Sequence, residues 1–196
     1  RRRGHWHWPI GKNWQEAAEV TVYRKDLSPT EVRELLDYDP ETGEFTWRPR
    51  LGGTRSDAAF NAGGWPGRSA GSFNGDGYRH IKIGHAHYCG HRLAWLLMTG
   101  GWPAEEIDHI NCDKSDNRFC NLRLANRKEN TINTRLKSNN KTGFKGVCFK
   151  PRQGYHAQIM HHKKAHHLGF YPTAEQAHQA YCKAAKEMHG EFARTE

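Results

Sequence analysis

The sequence predicts an α+β chain made of two small units, and three observations predict it. Asn and Asp crowd between two short alternating apolar runs in "EIDHINCDKSDNRFCNLRLANRKEN", Glu106 to Asn130. Three strand-like runs and one amphipathic helix follow each other after residue 143. Between them, "KSNNKTG" (137–143) offers turn formers and little to pack, so it reads as a linker. The division is then 26–136 for the first unit and 144–196 for the second, a small three-stranded antiparallel sheet packed on one helix.

Taken in order, residues 1–25 show no period and receive no element. In "LSPTEVRELLDYD" Ser28 is an N-cap, Pro29 suits the first helical position and Glu31 completes a capping box. Val32, Leu35 and Leu36 share one face of that helix. "DPETG" reads as a turn and "EFTWR" as a strand, and the Gly-, Ala- and Arg-rich residues 49–70 read as a loop. "GDGYRHIKIGHAHYCG" alternates as a hairpin turning near Gly84, and "HRLAWLLMTG" is a short apolar helix. Asp108 and His109 end a strand, "LRLA" (122–125) is a second, and "NRKENTINTR" is a helix capped by Asn126 with Glu129 three residues on. This order places Asp108, His109, Asn121 and Asn130 near one another. The last unit contributes "FKGVCF", "YHAQIM" and "AHHLGF", then a helix opened by Thr173 and Gln176 and stopped by Gly190. Ala174, Ala177, Tyr181, Ala184, Ala185 and Met188 form its apolar stripe.

Composition limits the function classes. The formal net charge is +9, with 14 His besides, which favours a polyanionic partner. Residues 137–196 hold 10 Lys and Arg against 4 Asp and Glu, so the second unit is the more purely basic. A membrane-spanning reading fails, because the longest apolar run, "LAWLLM", is far below the ~20 residues required. "RRRGHWHWPI" has a basic start but no apolar centre, so no signal peptide is expected. Five Cys without a CxxC pair fit a reducing cytoplasm better than a disulfide scaffold.

The chemistry is concentrated in the Asn-rich stretch. Asp supplies a hard anionic oxygen and Asn a neutral one, a set that suits Mg²⁺ or Mn²⁺ completed by water and phosphate oxygens. A neutral His beside such an ion can take a proton from water, and an Asn carbonyl on its other nitrogen would fix the tautomer. Two alternatives remain open on the residues alone. Asn and Asp also crowd ordinary turns and caps, and Cys112 and Cys120 flank the loop as a partial zinc set.

With "YDPETGEFTW", "HRLAW" and "IDHINCDKSDNRFCNLRLANRKEN" in view, residues 28–136 resemble the HNH endonuclease family, in its phage and intron-encoded homing branch. The resemblance implies a ββα-metal finger in which His109 is the general base and Asn121 orients it. It makes Asp108 and Asn130 the metal ligands, and implies 5′-phosphate and 3′-hydroxyl products. His91, in "HRLAW", reads as a packing or phosphate-contact residue. The second unit resembles the APETALA/ERF-type DNA-binding domain of plants, whose sheet lies in the DNA major groove. The matching positions are Lys145, Lys150, Arg152, Gln158 and His167, with Lys and Arg on phosphate or guanine and Gln158 on adenine. Cys148, Met160 and Ala165 replace basic residues of the plant pattern.

The expectation is a monomeric, Mg²⁺- or Mn²⁺-dependent endonuclease on double-stranded DNA, acting in the cytoplasm of a phage's host. Its rivals are a non-catalytic DNA-binding regulator and an RNA-binding protein. The charge asymmetry makes a first prediction. Removing residues 137–196 should weaken DNA binding and flatten its salt dependence, by about one unit of slope per lost phosphate contact. A fluorescence titration across salt concentrations that finds affinity and slope unchanged contradicts the division of labour.

Overall fold

The computed structural model describes residues 27–136 and 138–195; the unassigned segment 1–25 lies outside them. Helix α1 (Pro29–Leu35) starts on the expected capping box, Ser28 and Glu31 each holding the other's backbone N–H. It stops one residue early, because Leu36 turns extended and opens strand β1 (Leu36–Tyr38), which pairs antiparallel with β2 (Phe45–Trp47). Residues 49–70 are not all loop. Helix α2 (Arg55–Ala62) forms there on a Thr54–Asp57 capping box, although it buries no residue. Its Phe60 instead packs between Trp47, Trp65 and the guanidinium of Arg50.

Strands β3 (Ser72–Phe73), β4 (Arg79–Ile83) and β5 (Ala86–Cys89) form a meander, with Gly84 at φ +61° in the expected turn. Helix α3 (Gly90–Thr99) follows at once and ends on a left-handed Gly100. Its Leu93 and Leu96 join Val32, Phe45, Ile81 and Tyr88, all at most 1% exposed, in the main core. Each such side chain contributes roughly 1.5–3 kcal/mol, and together they form the floor on which the next elements rest. Ile107 and Leu122 belong to the same cluster. They anchor strands β6 (Glu106–His109) and β7 (Leu122–Ala125), an antiparallel pair followed by helix α4 (Arg127–Ile132) on the predicted Asn126–Glu129 capping box. The register sets Asp108 directly opposite Arg123. A one-residue slip would put the two on opposite faces of the pair.

The "YDPETG" turn braces the loop that joins β6 to β7. Tyr38 donates its hydroxyl hydrogen to the Asn117 carbonyl at 2.7 Å, and the Phe119 N–H reaches the Pro40 carbonyl at 3.1 Å. Gly43 (φ +74°) lies so close that a Cβ there would stand 2.5 Å from the Arg118 nitrogen. That contact is a reason for glycine.

The C-terminal unit is a meander of β8 (Val147–Lys150), β9 (Gly154–His161) and β10 (Lys164–Tyr171), with helix α5 (Ala174–His189) across one face. Val147, Ala157 and Ile159 meet Ala177, Tyr181, Ala184 and Ala185, so the Ala-rich stripe faces the sheet as the sequence implies. Thr173 caps α5 by accepting from the Gln176 N–H. The linker expected at 137–143 is partly folded: Asn140 accepts from the N–H groups of Thr142 and Gly143 and donates to the Phe144 carbonyl, and Thr142 bonds the Val147 carbonyl. A short 3₁₀ turn, Gly190–Phe192, follows α5.

Gly146 tests this packing. At φ +73° a Cβ would stand 2.0 Å from Tyr181 Cδ2, whereas Gly53 at φ +70° has nothing within 4 Å. Gly146→Ala should lose about 2 kcal/mol or more through strain and overpacking together. Gly53→Ala should lose roughly 1 kcal/mol from the backbone alone. Equal shifts of the urea midpoint would contradict this account.

Candidate active site

Asp108 is 3% exposed, and every contact on its carboxylate is made by a side chain from a neighbouring element. Arg123, across the β6–β7 ladder, places Nε and Nη2 on Oδ2 at 2.9 and 2.7 Å. Asn133, just past α4, sets its amide against Oδ1 and Oδ2 at 3.0 and 2.9 Å, and against the His109 and Ile110 carbonyls. Asn130, the expected partner of Asp108, instead donates to Glu106 at 2.7 Å. The correction follows from helical pitch: Asn133 lies three residues on, just beyond the end of the six-residue helix, where the chain returns to the end of β6. "NTIN" carries that signal, a second Asn at helical spacing beyond Asn130.

His109 is 5% exposed and enclosed by rings, His91 at 5.1 Å and Tyr78 at 5.9 Å between centroids. Its Nε2 is buried without a hydrogen-bond partner. Burial lowers its pKa below the ordinary histidine value, and the Asn117 side chain, Asp108 and other loop carboxylates oppose that shift. Asn117 thus faces the ring closely enough to favour imidazolium, yet its Oδ1 and His109 Nε2 both stay unpaired by hydrogen-bond geometry. His91, from "HRLAW", is buried in α3, and desolvation pulls its pKa down to about 3. It packs, as expected.

Asn121 makes no hydrogen bond to the His109 ring. Its amide closes the β6–β7 loop, accepting from the Asn111 N–H at 3.0 Å and donating to Asn111 Oδ1 and the Asp116 carbonyl. Asp116 is held by Arg118 and Asn111, and the Arg118 hydrogen bond leads in drawing its pKa down to about 2. Cys112, at φ +58°, donates from Sγ to the Asn133 carbonyl at 3.0 Å. This thiol is a packed hydrogen-bond donor, and all five Cys are free.

The donor chemistry around Asp108 fits one hard divalent cation. The carboxylate is the hard anionic oxygen there, while the Asn133 amide turns its nitrogen to that carboxylate and to the His109 and Ile110 carbonyls, and its Oδ1 accepts from the Cys112 thiol. Among the described residues no three His, Cys, Asp or Glu side chains form a metal cage, so Cys112 and Cys120 have no zinc set to complete. Mg²⁺ bound by one or two protein ligands and otherwise by water and phosphate needs no such cage.

In the C-terminal sheet, alternation turns Cys148, Lys150, His156, Gln158, Met160, Ala165 and His167 to the face opposite α5. Lys150, Gln158 and His167 are exposed, as is Arg152 in the β8–β9 turn at φ +67°. The His167 ring stacks on His156 at 4.6 Å. Lys145 departs from the expectation. Its ammonium is half-buried, donating to the Ile132 and Thr134 carbonyls at 3.0 and 2.8 Å, where a cation complements the end of a helix. Burial pushes its pKa down, helped by Arg194.

A family model described as HNH endonuclease matches residues 88–132, from β5 through α4. An uncharacterized HNH endonuclease of Acanthamoeba polyphaga mimivirus is 36% identical over 105 residues, 53% of this chain and 54% of that protein. The chain thus spans about half the length of that relative. Protein 3.8 of Escherichia phage T7 is 31% identical over 106 residues, 53% of this chain and 87% of that protein. No solved structure matches the chain. The family model falls on the strands and helix that gather Asp108, His109 and Asn121: the matched segment, residues 88–132, belongs to the HNH endonuclease family.

Proposed function

We propose that this chain hydrolyses phosphodiester bonds in double-stranded DNA with the help of one Mg²⁺ or Mn²⁺. The observation that carries the reading is His109: a buried imidazole with an unpartnered Nε2, next in the strand to a buried carboxylate. Asp108 would hold the ion, joined by the Asn133 amide once its oxygen is turned inward, and the ion when bound supplies positive charge against the scissile phosphate and the leaving 3′-oxygen. His109, kept neutral by burial, takes the proton of the attacking water. Asn121 closes the loop behind it, and Arg123 fixes the carboxylate.

The open face of the C-terminal sheet is the natural seat for the duplex, in the manner of APETALA/ERF-type domains. Lys150 and Arg152 meet phosphate or guanine, Gln158 meets adenine and His167 adds a further polar contact. Lys145 leaves this set, because its ammonium holds the end of α4. Among the described residues no helix is long and apolar enough to cross a membrane. The viral relatives support a phage or viral gene as the source; in this reading the product acts as a monomer in the host cytoplasm.

Asp108→Asn should lower single-turnover cleavage at least about 10²-fold while DNA affinity holds, the scale expected when a group acts on the transition state. Asparagine is the substitution of choice, since its amide oxygen still accepts from Arg123, whereas alanine leaves the guanidinium no acceptor there. Asn133→Ala should lose most activity and regain part of it at high Mn²⁺, whereas Asn130→Ala should lose little. A larger loss at Asn130 than at Asn133 would return the ligand role to the helix.

The pH profile separates base from ligand. Because burial lowers the His109 pKa, the neutral base forms at a lower pH than the ordinary value of about 6.5. Cleavage should rise with pH through that lowered value and stay flat beyond it. His109→Ala should lose about 10²–10⁴ in rate and the rise with it. Near-wild-type rates in His109→Ala from about pH 5.5 to about pH 9, a span that brackets histidine ionisation, would falsify the assignment.

A further inference from the structure

Arg123 has the carboxylate of Asp108 on one side and the end of the C-terminal unit on the other. Nε and Nη2 both bind Oδ2, which leaves Oδ1 to the Asn133 side. Nη1 donates to the Glu191 carbonyl at 2.6 Å, and the Phe192 ring lies 4.0 Å from the guanidinium carbon. The guanidinium is planar with its donors in a fixed fork, so a carbonyl that holds Nη1 also fixes the edge presented to Asp108. Phe192, 9% exposed, closes the face of that plane.

The same segment reaches Asn133. Arg194 places Nη1 on Cys112 Sγ at 3.3 Å, and that thiol donates to the Asn133 carbonyl and to its Oδ1 at 3.0 and 3.3 Å. Lys145, also from the C-terminal unit, holds the carbonyls on either side of Asn133, those of Ile132 and Thr134. Both side chains offered to the cation are therefore oriented by residues that follow the nuclease unit in sequence.

We infer that Arg123 is a positioning residue through which the segment Gly190–Arg194 sets the Asp108 carboxylate, so that the C-terminal unit completes the nuclease site in addition to holding DNA. The catalytic consequence rests on the nuclease reading above; the clamp itself does not. Three effects follow. The clamp commits Oδ2 to two guanidinium bonds and leaves Oδ1 to the Asn133 amide alone, which limits how Asp108 can ligate. It ties the geometry of that carboxylate to the docking of the tail. It also leaves the open face of the sheet, which carries Gln158 and His167, outside the linkage.

The test uses the full chain with Phe192→Leu, which keeps apolar bulk but removes the ring, and Phe192→Ala beside it. In metal-free, DNA-free protein, NMR should show the Arg123 Nε–H exchanging with water about tenfold faster in both variants, the worth of a desolvated cation–π contact. In cleavage at saturating DNA, the Mn²⁺ concentration for half-maximal rate should rise by about the same factor, again from the lost cation–π contact. DNA affinity should not change. Unaltered Nε–H exchange in the two variants overturns the clamp. Faster exchange with an unaltered Mn²⁺ dependence overturns the positioning role. Faster exchange in a protein whose wild type does not cleave DNA with Mg²⁺ or Mn²⁺ supports the clamp and removes the nuclease reading instead.

Discussion

A carboxylate at 3% exposure is tolerated inside a fold only where its neighbours replace the hydrogen bonds of water, and Asp108 has them. Arg123 is bonded to one oxygen and the Asn133 amide to both. Breaking such a buried pair from one side costs about 3–5 kcal/mol, a large fraction of a small domain's stability. The β6–β7 register, the exit of α4 and the docking of the C-terminal tail all have to be right for that pair to form. The site is thus a folding constraint as well as a chemical one.

His109 owes its state to the next layer of contacts. A carboxylate beside it in sequence and others in the loop favour imidazolium, yet burial among Tyr78 and His91 outweighs them. The balance leaves a neutral ring with a nitrogen that no protein group satisfies. His91 Nδ1 is buried without a partner as well, so what sets His109 apart is its place next to Asp108 in the strand.

Local signals make most of the fold legible. Capping boxes at Ser28 and Asn126 place the helix starts, although the second helix ends three residues short of the expected run, the "LRLA" strand matches at both ends, and the Ala-rich stripe names the face of α5. The misses have local reasons too. Leu36 fits a helical face and a buried strand equally well, and the strand prevails because Trp47 pairs with it. Residues 55–62 bury nothing, so no apolar period announces α2, though its capping box is visible. At the site, His109 and Asp108 are readable because they are adjacent, whereas Arg123 requires the cross-strand register and Asn133 the length of a helix that ends after two turns. Lys145 shows the limit of counting charges. A lysine in a basic unit reads as a DNA contact, and the fold uses it to hold two carbonyls.

The central claim is that the pocket around Asp108 and His109 is a metal-dependent nuclease centre. Incubating the full chain with supercoiled plasmid, with Mg²⁺ or Mn²⁺ and then with excess chelator, tests it most directly. The account predicts relaxed or linear DNA in the presence of the ion and intact supercoils once it is removed. Cleavage that persists in the chelator, or none with either ion, would contradict it.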